Sequence, residues 1–364
     1  MYPLLKVNLS KIKHNAAFIL ARCEDRRMDV YLVTKGISAD LQIIQSFIDS
    51  GYTLFADSRI QNIAEMKNKY PDAEYMMLRI PGKSEVESIV DLCDISLNSE
   101  WETILSLDKV AEKRGKKHRI ILMIELGDLR EGVSPDSVLE MVKKINRLKA
   151  IKLEGVGANF GCFGGVLPSE TSFLLLTDIA RNIERVFGRS LQVISGGNSS
   201  ALPLIFERKS IGRINQLRIG ESIYLGVSTV DGNAIKGLYQ DAFQLQAEIV
   251  EIQVKSSVPR GTQGTDAFGD KKIFPDIGWR LRAILSLGKQ DVDFNDIHPI
   301  NPCIKKLGGS SDHLIVDITE AKPMDVGDKI SFNLSYGGLL RSMSSAYIAK
   351  HYTNDVLLER RLAT

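Results

Sequence analysis

The sequence is poor in cysteine, has no long apolar run and carries no excess of charge of either sign. Its four cysteines, Cys23, Cys93, Cys162 and Cys303, lie far apart with no CxxC pair. Neither a zinc site nor a disulfide framework is indicated, and idle thiols in the cytoplasm are the default expectation. No apolar stretch approaches the length needed to span a bilayer, so no membrane helix is expected. The opening MYPLLKVNLSKIKHN has no small-residue cleavage site and does not read as a secretory signal. With 47 basic and 45 acidic residues the formal net charge is only +2, which points to neither nucleic acid nor an anionic membrane as a partner. The basic cluster KRGKKHR (113–119) falls between a helical and a strand pattern and reads as a solvated helix end. There is no GxxxxGK[ST] phosphate loop, no internal repeat and no low-complexity tract.

What is present is the composition of an ordinary soluble protein, 44% apolar and 25% charged over 364 residues. That length allows one large domain and a smaller one. Eight short apolar runs read as strands: VYLVT (30–34), TLFA (53–56), EYMMLRI (74–80), DISLN (94–98), RIILMIEL (119–126), KLEGVGA (152–158), LQVIS (191–195) and QLRIG (216–220). Helical spacing lies between them over 41–50, 84–90, 99–114 (with Ser99 and Glu102 as a capping box), 135–148 and 169–187. Strands alternating with helices imply a parallel sheet covered on both faces, and eight units favour a closed (β/α)8 TIM barrel over an open doubly wound sheet. After Gly237 the pattern changes to period two in FQLQAEIVEIQV, followed by RLRAILSL, HLIVDIT and KISFNL, with 259–276 as a long loop. The expected organisation is a barrel over 1–236 and a mainly-β domain over 237–364.

Barrel active sites form at the C-terminal ends of the strands. Lys35 follows the apolar VYLV run. It is either a surface lysine or a partly desolvated amine of lowered pKa that can form a Schiff base. The turn SGGNSS (195–200) offers backbone N–H groups and hydroxyls to an anion, or is simply a tight loop with a serine cap. Its place after the seventh strand favours phosphate. Arg218 sits inside an apolar strand and needs a partner, structural or functional. A Schiff-base lysine, a phosphate cradle and strand-end arginines on one barrel mouth together fit pyridoxal phosphate (PLP).

These residues stand in phrases that resemble the alanine racemase group of PLP enzymes, and more closely its ornithine racemase branch. The phrases are VTKG (33–36), FADSRIQN (55–62), IILMIELGDLREGV (120–133), ISGGNSSALPL (194–204), LRIGESIYLG (217–226) and GGSSDHLIVD (308–317), spread over nearly the whole chain. The resemblance implies a racemase that interconverts the L and D forms of an amino acid, a basic one such as ornithine or lysine in the closer branch. An alanine or broad-specificity racemase is the alternative. It also implies Lys35 as the Schiff-base lysine, Arg130 at the cofactor's phenolic oxygen, and Arg218 facing the pyridine nitrogen. Gly197, Asn198, Ser199 and Gly220 would lie at the phosphate, with Tyr336 from the β-domain near it. Asp312 would stand near the substrate, and the active site would be shared across a homodimer. Two positions depart from the group. Asn159 stands where alanine racemases place a histidine, and LGKQDVD (287–293) lacks the tyrosine that serves as second base.

A proton carrier is needed on each face of the bound substrate. Lys35 serves one. Asp312, His313, Lys289 and Cys162 are the candidates for the other, with Asp312 and His313 alternating in a strand-like run so that only one faces the site. Asp57, Asp128, Glu131 and Asp266 are candidates to receive a distal ammonium group. Three rival readings are PLP-dependent decarboxylation, poorly matched by HPINPCIKKL (298–307), a metal-assisted aldolase or dehydratase, for which His298 and Cys303 are a poor metal pair, and a PLP-homeostasis protein, which would need the barrel alone. No metal site is expected.

Overall fold

The computed structural model describes residues 2–265, 268–269, 271 and 273–354. It opens with β1 (Leu4–Asn8) and α1 (Leu9–Glu24). The next eight strands are β2 (Asp29–Val33), β3 (Leu54–Asp57), β4 (Glu74–Met77), β5 (Ile95–Asn98), β6 (His118–Met123), β7 (Ile151–Gly157), β8 (Val193–Ser195) and β9 (Gln216–Ile219). They pair in parallel, in that order, and close into a barrel. The helices after the strands are α2 (Leu41–Ile48), α3 (Ile60–Lys69), α4 (Val86–Leu92), α5 (Trp101–Lys113), α6 (Val138–Ile145), α7 (Glu170–Phe187), α8 (Leu202–Phe206) and α9 (Glu221–Leu225). All eight strands read from the sequence form staves of the barrel.

The strands are buried on both faces, which is why they read as near-continuous apolar runs. Tyr31, Val33, Ala56, Met76, Ile95, Leu97, Ile121 and Met123 pack together as one core cluster contributed by β2 to β6. The barrel is thus a filled core, as barrels of this kind are. Local signals set the helix ends. Ser169 and Ser172 form a reciprocal cap at the start of α7, and Gly188 ends it at φ 64°. The expected Ser99 capping box does not form: the N-cap of α5 is Glu100, whose carboxylate accepts from Glu102 N. The stretch read as one helix over 135–148 is a short 3-10 turn from Pro135 followed by α6.

Residues 2–11 and 241–354 form a second compact unit, and 12–240 the barrel unit. The second unit contains β10 (Phe243–Ser256), β11 (Trp279–Leu285), β12 (Ile297–Pro299), β13 (Lys305–Gly309), β14 (Leu314–Asp317), β15 (Lys329–Leu334), α10 (Tyr336–Ser344) and β16 (Ala349–Thr353). Its sheet runs β12-β15-β10-β11-β14-β13, with β1 joined to β10 and β16. Fourteen-residue β10 pairs with β1 and β15 along its first half and with β11 along its second. The first strand of the chain therefore belongs to the later sheet, although its sequence position is next to the barrel. Among the described residues no helix is long and apolar enough to cross a membrane.

Candidate active site

Lys35 stands just past the end of β2, where the chain turns through a short 3-10 segment, Lys35–Ile37. Among the described residues its amine has no hydrogen-bond partner. Burial lowers the Lys35 pKa, and the Arg130 guanidinium lowers it further; Cys162, Asp57 and Glu131 oppose the shift. An amine so placed is more readily neutral, the form that acts as nucleophile or base. Beside it, Thr34 Oγ1 donates to Asp57 Oδ2 at 2.6 Å. Arg59 N and Asn62 Nδ2 also donate to the Asp57 carboxylate. Burial pushes Asp57 up against the pull of these donors.

Arg130 reaches the same place from the loop after β6. That loop doubles back on itself: Val133 N donates to Met123 O and Glu125 N to Val133 O. The return needs Gly132, at φ +145°, where a Cβ would lie 2.3 Å from Glu125 N. Arg130 Nε and Nη2 both donate to the Glu131 carboxylate, and Nη1 to Cys162 Sγ at 2.9 Å. Burial pulls the Arg130 guanidinium down, but Glu131 and Cys162 outweigh it and hold the pKa above its usual range.

Arg218, in the middle of β9, is 3% exposed. Its Nη2 donates to Ala158 O at 2.8 Å and to Asn159 Oδ1 at 2.7 Å, and its Nη1 to Ser195 Oγ. Burial drags its pKa to about 10, with Glu131 acting against Arg130. It stays protonated at neutral pH, so it presents donors and no acceptor. Asn159 donates in turn to Glu131 Oε1.

The turn after β8 forms the third part. Gly197 has φ +103°, and Arg218 N bonds its carbonyl at 3.0 Å. Asn198 fixes the turn, accepting from Ser200 N and donating to Phe160 O. Ser199 is buried, and Ser200 Oγ is a buried oxygen with no hydrogen-bond partner among the described residues. Gly220 brings the end of β9 against β2: a Cβ there would lie 2.9 Å from Val33 O. Tyr224 Oη donates to that same carbonyl.

Lys35, Arg130, Asn159 and Arg218 are thus linked directly or electrostatically at the strand ends. Gly197, Asn198, Ser199 and Gly220 line the neighbouring turn and strand end. Three of the carboxylates named for a distal ammonium group are already engaged. Asp57 and Glu131 are bonded as described, and Asp128 accepts from Cys162 N and Phe163 N. Asp266 lies outside the described residues. Glu221, not singled out from the sequence, is pushed up by burial and feels Lys35. Its only signal in the sequence was its place after Gly220.

The remaining predicted residues belong to the second unit. Asp312 and His313 are not in a strand; they form the turn between β13 and β14, so the alternation expected for them does not apply. Both are exposed, and Asp312 accepts from Gln290 Nε2 at 2.8 Å and from Ser311 Oγ. Lys289 lies on the loop packed against that turn, its N donating to Ser310 O and its Nζ standing 3.8 Å from the centre of the Phe268 ring. His313 lines an open cavity of about 720 Å³ with Arg280, Arg282, Ile284, Lys306 and Ile315. Tyr336 is the first residue of α10. Among the described residues no three His, Cys, Asp or Glu side chains gather as a metal site.

The family "Alanine racemase, N-terminal domain" matches residues 7–228. Over 352 residues the chain is 41% identical to the ornithine racemase of Acetoanaerobium sticklandii, covering 96% of this chain and 99% of that one. It is 35% identical over 356 residues to the lysine racemase of Thermotoga maritima, covering 98% of this chain and 100% of that one. Among solved structures it is similar to Bartonella henselae alanine racemase with covalently bound pyridoxal phosphate (TM-score 0.74, 16% identity, 96% of this chain and 99% of that one). Biosynthetic alanine racemase from Pseudomonas aeruginosa is similar too (TM-score 0.73, 18% identity, 97% and 100%). At those identities the likeness is one of fold. Nearly full-length relatives and a family match over more than half its length establish that the chain belongs to the alanine racemase family.

Proposed function

We propose that this chain is a PLP-dependent racemase that interconverts the L and D forms of a basic amino acid, ornithine or lysine. The observation that carries the proposal is Lys35: a half-enclosed amine of lowered pKa, without a hydrogen-bond partner among the described residues, near the Arg130 guanidinium, which in turn acts on Arg218. Relatives that are ornithine and lysine racemases, matched over nearly the whole of both chains, support the substrate class.

The residues fit the cofactor. Lys35 would hold its aldehyde carbon. Gly197, Asn198, Ser199 and Gly220 would hold its phosphate, where Ser200 Oγ is a buried oxygen without a partner among the described residues. Arg218, bonded to Asn159, would face the ring nitrogen, and Arg130 the phenolic oxygen. When bound, PLP draws electron density from the substrate and makes the Cα–H acidic. Lys35, its pKa lowered by burial, can then take or return a proton on one face. Arg218 offers only N–H donors, so it supplies no acceptor for a proton on the ring nitrogen. Arg130 is the cation available to a substrate carboxylate.

From the β unit we assign Tyr336 to the phosphate, and Asp312 and His313 to the second proton transfer, with Lys289 of the same unit and Cys162 of the barrel unit as the other candidates. This assignment goes with a homodimer in which the chains share their sites. A cytoplasmic location accords with four cysteines that form no disulfide.

Borohydride reduction of the PLP-loaded protein, followed by peptide mapping, tests the reading. The cofactor should be fixed on the peptide containing Lys35, and Lys35→Ala should lose both the label and all racemisation. Labelling of another lysine with activity retained would overturn it.

A further inference from the structure

The two arginines of the barrel mouth are cations about one core, and Arg130 depresses the proton affinity of both Arg218 and Lys35. Two guanidiniums in a partly desolvated place need a counter-charge. One carboxylate supplies it. Glu131, its side chain 13% exposed, takes Arg130 Nε on one oxygen and Arg130 Nη2 on the other. Its Oε1 also accepts from Asn159 Nδ2. Asn159 then accepts from Arg218 through Oδ1, at 2.7 Å. An amide that donates on one side and accepts on the other cannot flip without breaking both bonds.

We propose that Glu131 is a positioning residue: it aims Arg130 directly and Arg218 through the Asn159 amide, in one hydrogen-bonded line across the barrel mouth. This deepens the racemase reading and rests on it for its catalytic consequence. An ion pair between neighbouring surface residues would contribute little. Here the carboxylate is largely enclosed, engages three donors and lies between a partly exposed cation, Arg130, and a buried one, Arg218. It is therefore also unavailable as the acceptor for a basic substrate's distal ammonium group.

Two substitutions separate charge from reach. Glu131→Gln keeps the shape and removes the charge; Glu131→Asp keeps the charge and shortens the arm. The first readout needs neither PLP nor turnover. It is the pH at which Lys35 half-titrates in the PLP-free protein, from the pH dependence of its acylation read by peptide mass spectrometry. Glu131 opposes the lowering of the Lys35 pKa, so Glu131→Gln should move that pH down while Glu131→Asp leaves it near the parent value. An unchanged value in Glu131→Gln overturns the proposal. In the PLP-loaded protein, both variants should shift the cofactor's absorbance maximum and lower kcat/KM by about 10- to 100-fold, the cost of misplacing a cofactor contact. An unaltered spectrum with kcat/KM within about twofold of the parent overturns it as well. If Glu131→Gln fails to fold, Glu131→Asp carries the spectral and kinetic test alone. Should the unsubstituted protein neither bind PLP nor racemise, the functional reading falls, and the Lys35 titration still decides the positioning claim.

Discussion

Gly197 and Gly220 hold backbone where a side chain would collide, for different reasons. Gly197 needs a left-handed φ of +103°, and a Cβ would press on Phe160 at 3.2 Å. Gly220 needs only the close approach to Val33. Gly197→Ala should therefore cost about 1–3 kcal/mol of stability, the usual range for such backbone strain. It should also weaken PLP binding, because the turn it distorts is the proposed phosphate cradle. Thermal unfolding and a PLP titration check both, and unchanged values in both would remove the turn from the site. At this scale the sequence showed Lys35 and Arg218 plainly, since a charged residue in or at the end of an apolar strand is conspicuous. It did not show what Glu131 does. Glu131 looked like one of four interchangeable acids, and its role depends on Asn159 and Arg218, residues 28 and 87 positions away whose proximity only the barrel creates.

The eight barrel strands and most of their helices could be read from apolar runs and caps, because parallel strands buried on both faces leave an unbroken apolar signature. Helices α1, α3 and α10 escaped, and so did elements whose partners lie far along the chain. Strand β1 pairs with β10 and β16, and nothing local in LLKVN distinguishes it from the barrel that follows. The turn carrying Asp312 and His313 was read as strand because its apolar neighbours LIVD extend the pattern by two residues. Strand β6 carries a pH-sensitive group of its own. His118, 3% exposed, shares a hydrogen bond of 2.8 Å with Ser96 Oγ, and burial pushes its pKa down from 6.5 to about 4. The folded protein keeps this imidazole neutral while the unfolded chain protonates it near 6.5. Its contribution to stability is therefore full above that pH and is lost as pH falls toward the folded value. The loss is on the order of 3 kcal/mol. His118→Gln should flatten the fall of the unfolding temperature between those two pH values, and an unaltered slope would assign the acid sensitivity elsewhere.

For the whole molecule, the proposal divides catalysis between the barrel unit, which carries Lys35, and the β unit, which carries Asp312, His313 and Tyr336. Shared sites in a homodimer predict complementation. Lys35→Ala and the Asp312→Ala/His313→Ala double variant, each inactive alone, should regain up to about one quarter of the parent activity when mixed and allowed to exchange subunits, because half the dimers then hold one intact site of two. No recovery after demonstrated exchange would confine each site to a single chain. A basic amino acid as substrate is the central claim. Its most direct test is to load the protein with PLP in D2O and follow the Cα proton signal and optical rotation of L-ornithine, L-lysine and L-alanine in separate tubes. The account predicts that both signals disappear together for ornithine or lysine, well ahead of alanine. Bound PLP with no Cα exchange on any of the three would contradict it.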